Sequence, residues 1–227
     1  MRCGLYGKLP VKRDFIAEQV PLGFLPSFEP WLQGAVGTSR MLMGSRWQEI
    51  YLSAPIWRFW LGTSHCGRTV TGAFMPSIDG VGRFFPLVVM AMADEGHVIP
   101  PPSHDPQSDW FDAAEDFLLS TLDETAAFTS LVEALAALPP PRQMPTPPAP
   151  PNILTRGDGT LIHVTPTPDI DAAFASLSAA DDAGLMTSGT FWWTIGGDAL
   201  PAISIACRQL PDPHLFSGFL TGRFDGL

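Results

Sequence analysis

The sequence predicts an α/β fold, a layered sandwich with a mixed, largely antiparallel central sheet and helices packed on its faces. Three observations carry this. The stretch Thr71 to Met92 reads TGAFMPSIDGVGRFFPLVVMAM and ends in a short, almost purely apolar run from Arg83 to Met92. Such a run, rich in Val, Phe and Met and too short to cross a bilayer, is a strand covered on both faces. Upstream, Ile56 to Leu61 and Thr69 to Met75 alternate in the two-residue period of β-structure. Helical spacing of apolar residues then brackets these segments on both sides.

Taken in order, Arg2 to Tyr6 predicts an N-terminal strand, and Lys8-Leu9-Pro10 breaks it because proline lacks a ladder donor. The loop Gly7 to Val20 follows, with Lys8, Lys12, Arg13 and Asp14, the densest cationic cluster of the chain. From Ser27, a plausible N-cap, Phe28, Trp31, Leu32, Ala35, Val36, Leu42 and Met43 share one face of a helix with Pro30 in its first turn. Trp47 to Leu52 extends it, and Ala54-Pro55 ends it. The strands Ile56–Leu61 and Thr69–Met75 and the turn Asp79-Gly80-Val81-Gly82 lead into the apolar strand. Beyond a loop, Trp110, Phe111, Ala114, Phe117, Leu118, Thr121 and Leu122 form the apolar arc of the clearest helix. Its other arc is acidic, with Asp109, Asp112, Glu115 and Asp116, and reads as a solvated face or a surface for a basic partner. Phe128 to Leu138 predicts a further helix.

The prolines between Pro139 and Pro151 predict a stiff connector without helix or sheet. After it come a weak strand at Leu161–Val164, a short helix at Asp169–Leu177, a hairpin of Thr190–Ile195 with Ile203–Cys207 around Gly196-Gly197-Asp198, and a last short helix in Pro213–Leu220. The chain divides into blocks 4–91, an acidic helical region 105–138, the connector 139–151 and a portion 152–227 that completes the same single domain, 1–227.

At 227 residues and 45% hydrophobic content the chain can bury a sizeable core. A formal net charge of -10 argues against capture of nucleic acid or of an anionic membrane surface. Cys3, Cys66 and Cys207 are odd in number and widely separated, which fits a reducing compartment and small buried side chains. MRCGLYGKLP has no apolar leader core, so a cytoplasmic location is expected.

Chemistry is thinly signalled. The five histidines show no ligand spacing, so no metal and no cofactor are expected. His65-Cys66 is a poor nucleophile pair, since neighbours on a strand point to opposite faces. Asp79-Gly80 is superficially similar to the Asp-Gly turn through which metal-dependent protein phosphatases hold manganese or magnesium, but the further aspartates such a site needs have no matching motif here. A tight turn between strands explains both glycines.

Three blocks together, GLYGKLPVKRDF, LSAPIWRFWL and GAFMPSIDGVGRFFPLVVMA, resemble the N-terminal signature of TagF, a type VI secretion-associated family of Gram-negative bacteria. Arg13 stands where a glycine commonly precedes Asp14 in that pattern. The resemblance implies a non-enzymatic cytoplasmic regulator that represses type VI secretion after translation, acting through the forkhead-associated scaffold protein Fha beside the kinase and phosphatase pathway of PpkA and PppA. Some relatives carry a PP2C-type phosphatase domain; its pattern does not occur up to Leu227, so dephosphorylation is not expected of this sequence.

On this reading Lys8, Arg13, Asp14, Arg58, Asp79 and Arg83 form a partner surface. Some of them could instead pair internally, Arg83 with Asp79 or Arg58 with Asp14, to fix loop geometry. The alternatives are a small-molecule-binding or hydrolytic enzyme using Asp79 and Asp14, and a structural component of the secretion apparatus.

Overall fold

The computed structural model describes residues 1–147, 152–155, 161–164, 169–197 and 200–224. In chain order the elements are β1 (Cys3–Gly7), β2 (Ile16–Glu18), α1 (Phe24–Met43), α2 (Trp47–Leu52), β3 (Trp57–Leu61), α3 (Thr63–Cys66), β4 (Val70–Met75), β5 (Leu87–Met92) and β6 (His97–Val98). There follow α4 (Ser108–Ser120), α5 (Phe128–Ala137), β7 (Met144–Pro145), β8 (Ile153–Thr155), β9 (Leu161–His163), α6 (Ile170–Ser188), β10 (Thr190–Thr194), β11 (Ile203–Cys207) and α7 (Phe216–Thr221). Seven strands make one sheet in the order β11-β10-β3-β4-β5-β1-β2. Every pairing in it is antiparallel.

The apolar run sits at the centre of this sheet, between β4 and β1, and all six residues of β5 are buried. It is shorter than the sequence suggests. Pro86 has no N–H to give a ladder, and the backbone before it folds back on the preceding turn through an Ile78–Phe84 bridge.

Side-chain alternation divides the core in two. On one face Trp57, Phe59, Phe74, Val88 and Met90 pack against α1, α2 and α7. On the other Leu5, Ala73, Met75, Val89 and Ala91 pack against α4 and α5. The helices therefore cover both faces, and a strand buried on both sides needs no polar residue.

The first face is an aromatic stack. The Phe59 ring lies 5.0 Å from Phe28 and 5.5 Å from Trp192, and Trp31 lies 4.6 Å from Trp192. Indole donors are satisfied at its borders, Trp31 on the Pro211 carbonyl at 2.7 Å and Trp57 on the Phe219 carbonyl at 2.9 Å. A glycine makes room for the stack: Gly72 is the register partner of Phe59, and a Cβ there would come within 2.3 Å of the Phe59 ring and 2.6 Å of the Val89 carbonyl oxygen.

Several elements differ from the sequence reading, each for a local reason. Helix α1 begins at Phe24 rather than at Ser27, so Pro30 lies in its second turn; the Ser27 hydroxyl is turned away to the His65 carbonyl. Residues Gly44–Arg46 form a 3₁₀ turn that separates α2 from α1. The loop after β1 contains the edge strand β2. The proline-rich connector is not free of sheet, because β7 pairs with β6 and Arg142 is clamped to Asp105 and Gln107 near the start of α4; residues 148–151 of that connector lie outside the described residues. The helix expected at Asp169–Leu177 runs on to Ser188, capped by the Asp169 carboxylate on the Ala172 N–H at 3.0 Å. Strands β10 and β11 form the expected hairpin and add to the main sheet beside β3; Asp198 of its turn lies outside the described residues.

The stack sets the first test. Gly72→Val should lower unfolding free energy by about 1–3 kcal/mol through overpacking, measured by urea denaturation, whereas Gly37→Ala in α1, where a Cβ meets nothing within 4 Å, should not.

Candidate functional site

Except for Arg58, the polar residues of the predicted surface gather where β1 and β4 end and β5 begins. At that end the turn after β4 is locked to the loop after β1. The Ser77 hydroxyl donates to the Lys8 carbonyl at 2.8 Å, and the Gly80 N–H donates to the Lys12 carbonyl at 2.7 Å. Gly80 is required by proximity, since a Cβ would sit 2.9 Å from the Pro10 carbonyl oxygen. Gly82 is required by conformation, with φ of 83°. The turn is held from beneath by buried Tyr51 of α2, which accepts from the Ser77 N–H at 3.1 Å and donates to the Ser77 carbonyl at 3.3 Å.

At the centre is Asp79, whose side chain is 0% exposed. Its Oδ1 accepts from the N–H groups of Val81 at 3.1 Å and Arg83 at 2.9 Å. Its Oδ2 accepts from the buried Lys8 ammonium and from Arg83 Nε at 2.7 Å. Burial alone would push this carboxyl up; the bonds from Lys8, the Arg83 backbone and guanidinium, and Val81 outweigh that and hold it well below the usual carboxylate range. The Lys8 ammonium also lies 4.8 Å over the Phe15 ring, which stacks with Tyr6 and meets Phe85 edge to face. Arg83, half exposed, reaches back to the Arg13 carbonyl.

Arg13 and Asp14 are exposed, and Arg13 does not adopt positive φ, so arginine is accommodated without strain where a glycine was expected. Among the described residues no hydrogen bond or ion pair of the Asp14 side chain is formed. The pairing considered between Arg58 and Asp14 does not occur. Arg58 emerges from β3 on the other side of the sheet from the aromatic stack, and its Nε donates to Glu115 at 2.6 Å and its Nη2 to Asp112 at 3.1 Å. Its guanidinium lies 5.1 Å from the centre of the Phe111 ring. The acidic arc of α4 is thus partly an internal counter-ion for a buried arginine, which corrects the reading of it as solvent-facing throughout.

The structure therefore joins Lys8, Asp79 and Arg83, attaches Arg13 to them through its backbone, and separates Arg58. Sequence reasoning missed Tyr51 and Ser77, and named Asp112 and Glu115 as part of an acidic arc without their pairing to Arg58. Ser77 lies within the quoted MPSID block; no local spacing marks Tyr51 or the Arg58 pairing. The arrangement is poor in reactive groups. Both oxygens of Asp79 are occupied, and burial pushes the Cys3 and Cys66 thiols up to about 11, away from the thiolate. Among the described residues no group of three or more His, Cys, Asp and Glu side chains is close enough to hold a metal ion.

Removing the central charge tests this geometry. Asp79→Asn leaves Lys8 buried without its counter-ion and should cost about 3–5 kcal/mol, while Arg83→Ala, half exposed, should cost about 1 kcal/mol or less. The lowered pKa also fixes a pH dependence. The ionised carboxylate contributes its stability above the unfolded value of about 3.9 and loses it as pH falls through the lower folded value. Wild-type stability should therefore fall more steeply than that of Asp79→Asn below about pH 4, read by denaturant titrations across the acid range.

Comparison with known proteins places this geometry. Among curated proteins none matches. The chain is similar to the crystal structure of PA0076 from Pseudomonas aeruginosa PAO1, with 30% identity, a TM-score of 0.77, and coverage of 99% of this chain and 96% of that one. Residues 4–138, from β1 through α5, match the TagF N-terminal domain, type VI secretion system-associated. With more than half of its length matched, and with the locked turn and the loop it binds inside the matched part, the chain belongs to the type VI secretion system-associated TagF N-terminal domain family.

Proposed function

We propose that this protein is a cytoplasmic accessory factor that restrains type VI secretion after translation by binding another protein, the forkhead-associated scaffold Fha, and that it performs no catalysis itself. Family membership supports the link to secretion. The observation that carries the binding role is that the polar signature is spent on itself: Asp79 accepts four hydrogen bonds and is fully buried. A carboxylate so engaged has no lone pair directed at a substrate, whereas the loop it rigidifies displays Arg13, Asp14 and the half-exposed Arg83 at the surface. A preorganised polar loop costs little ordering entropy on association.

Deletion of the gene in its host should raise secreted effector levels at unchanged transcript levels. Wild-type complementation should restore repression and co-purify Fha; the double variant Arg13→Glu, Asp14→Lys, at exposed positions that leave the fold intact by circular dichroism, should do neither. Full repression by that variant would remove the loop as the contact, and secretion abolished by deletion would make the protein a structural component instead.

A further inference from the structure

At the same end of the sheet as the locked turn, but lined by other residues, the chain carries a groove of about 430 Å³ between three elements. Pro55 and Ile56 come from the α2–β3 connection, Leu119 from α4, and Ile195 and Leu200 from the β10–β11 hairpin. Neither Asp14 nor Asp79 lines it. Leu119 is 51% exposed and Ile195 65% exposed. Single exposed aliphatic residues are ordinary on a protein surface; two that share one concavity with a proline and an isoleucine form a site for apolar anchors.

The charged side chain that lines it among the described residues is acidic. Glu115 lines the groove, and among the described residues only its Oε1 is engaged, by Arg58. Residues three and four apart on a helix share a face, so Asp112 and Asp116, both exposed, continue the acidic edge along α4 from Leu119. Among the described residues no lysine or arginine lines the groove. Arg58, which pairs with Glu115, is itself buried and shared between Asp112 and Glu115.

From this complementarity we infer that the groove is a docking site for a basic segment of a partner protein, seated by one or two aliphatic side chains with a lysine or arginine against the Asp112–Asp116 edge of α4. A small-molecule site would need several convergent polar groups to fix orientation; here the lining side chains offer one carboxylate and the Ser53 hydroxyl, itself turned to the Ile50 carbonyl, beside a row of aliphatic surface, the pattern of a short segment laid in a groove. The inference rests on reading the chain as an interaction protein, but places a second contact apart from the Arg13–Asp14 loop.

Panning the purified full chain against a phage-displayed library of random twelve-residue peptides tests it without reference to secretion. Enriched peptides should combine Lys or Arg with Leu, Ile or Val. Synthetic versions should bind at least tenfold more weakly to Ile195→Lys and to Leu119→Lys, and also to Asp116→Lys, which keeps every aliphatic contact; all three positions are exposed, and unchanged circular dichroism checks the fold. Binding should weaken as salt rises. Absence of enrichment, acidic winners, or basic winners indifferent to these variants would overturn the proposal. So would sedimentation showing a dimer of the free chain that Ile195→Lys dissociates, since the groove would then belong to a second copy. Failure here alongside derepression on gene deletion would remove the groove and leave the secretion role standing.

Discussion

A carboxylate removed from water governs much of this architecture. Asp79 is tolerable in the interior only because an ammonium, a guanidinium and two backbone amides surround it, and those donors arrive from two places far apart in sequence. An unpaired charge at such a depth is far costlier than any single loop contact. The loop after β1 and the turn after β4 must therefore come together in one arrangement, and the Ser77 and Gly80 bonds to that loop complete it. Here an internal ion pair acts chiefly as a register device. Its net contribution to stability over a hydrophobic replacement is small, but the native pairing of the two segments supplies all four of its donors.

The second buried cation works differently. Arg58 stands on a strand whose neighbours are tryptophan and phenylalanine, and its charge is met by a helix rather than by a loop. It ties α4 to the sheet at a point where the surrounding contacts are apolar and would permit the helix to slide. The planar guanidinium, with donors in a fixed fork, suits two carboxylates on successive turns and also covers the Phe111 ring.

Much of the fold was legible in the sequence because it depends on short periods. The alternation of Trp57, Phe59 and Leu61 and of Val70, Gly72 and Phe74 marked strands and named the face that each residue takes. The arc from Trp110 to Leu118 marked α4. What was not legible depends on distance or on compensation. Composition hid β7, since a proline at a short edge pairing loses no needed donor. The length of α6 was hidden because its apolar residues do not concentrate on one face. Asp79 with Arg83 was readable from a four-residue spacing; Arg58 with Glu115 was not, because periodicity says which residues face inward and nothing about which helix will lie over them.

The strand order has a consequence for how the molecule is made. Strands β3, β4 and β5 follow one another closely and can zip as neighbours, but β1 completes its ladder only on β5, pairing Cys3 with Ala91, and β10 only on β3, pairing Thr190 with Leu61. Contacts of such sequence separation slow folding through the entropy of closing long loops. The first strand to leave the ribosome can pair at once with β2, but its other edge waits until the central strand has emerged, and the flank of β3 stays open until almost the entire chain is synthesised. The nascent chain thus exposes bare sheet edges for much of its synthesis, the kind of surface that chaperones cover.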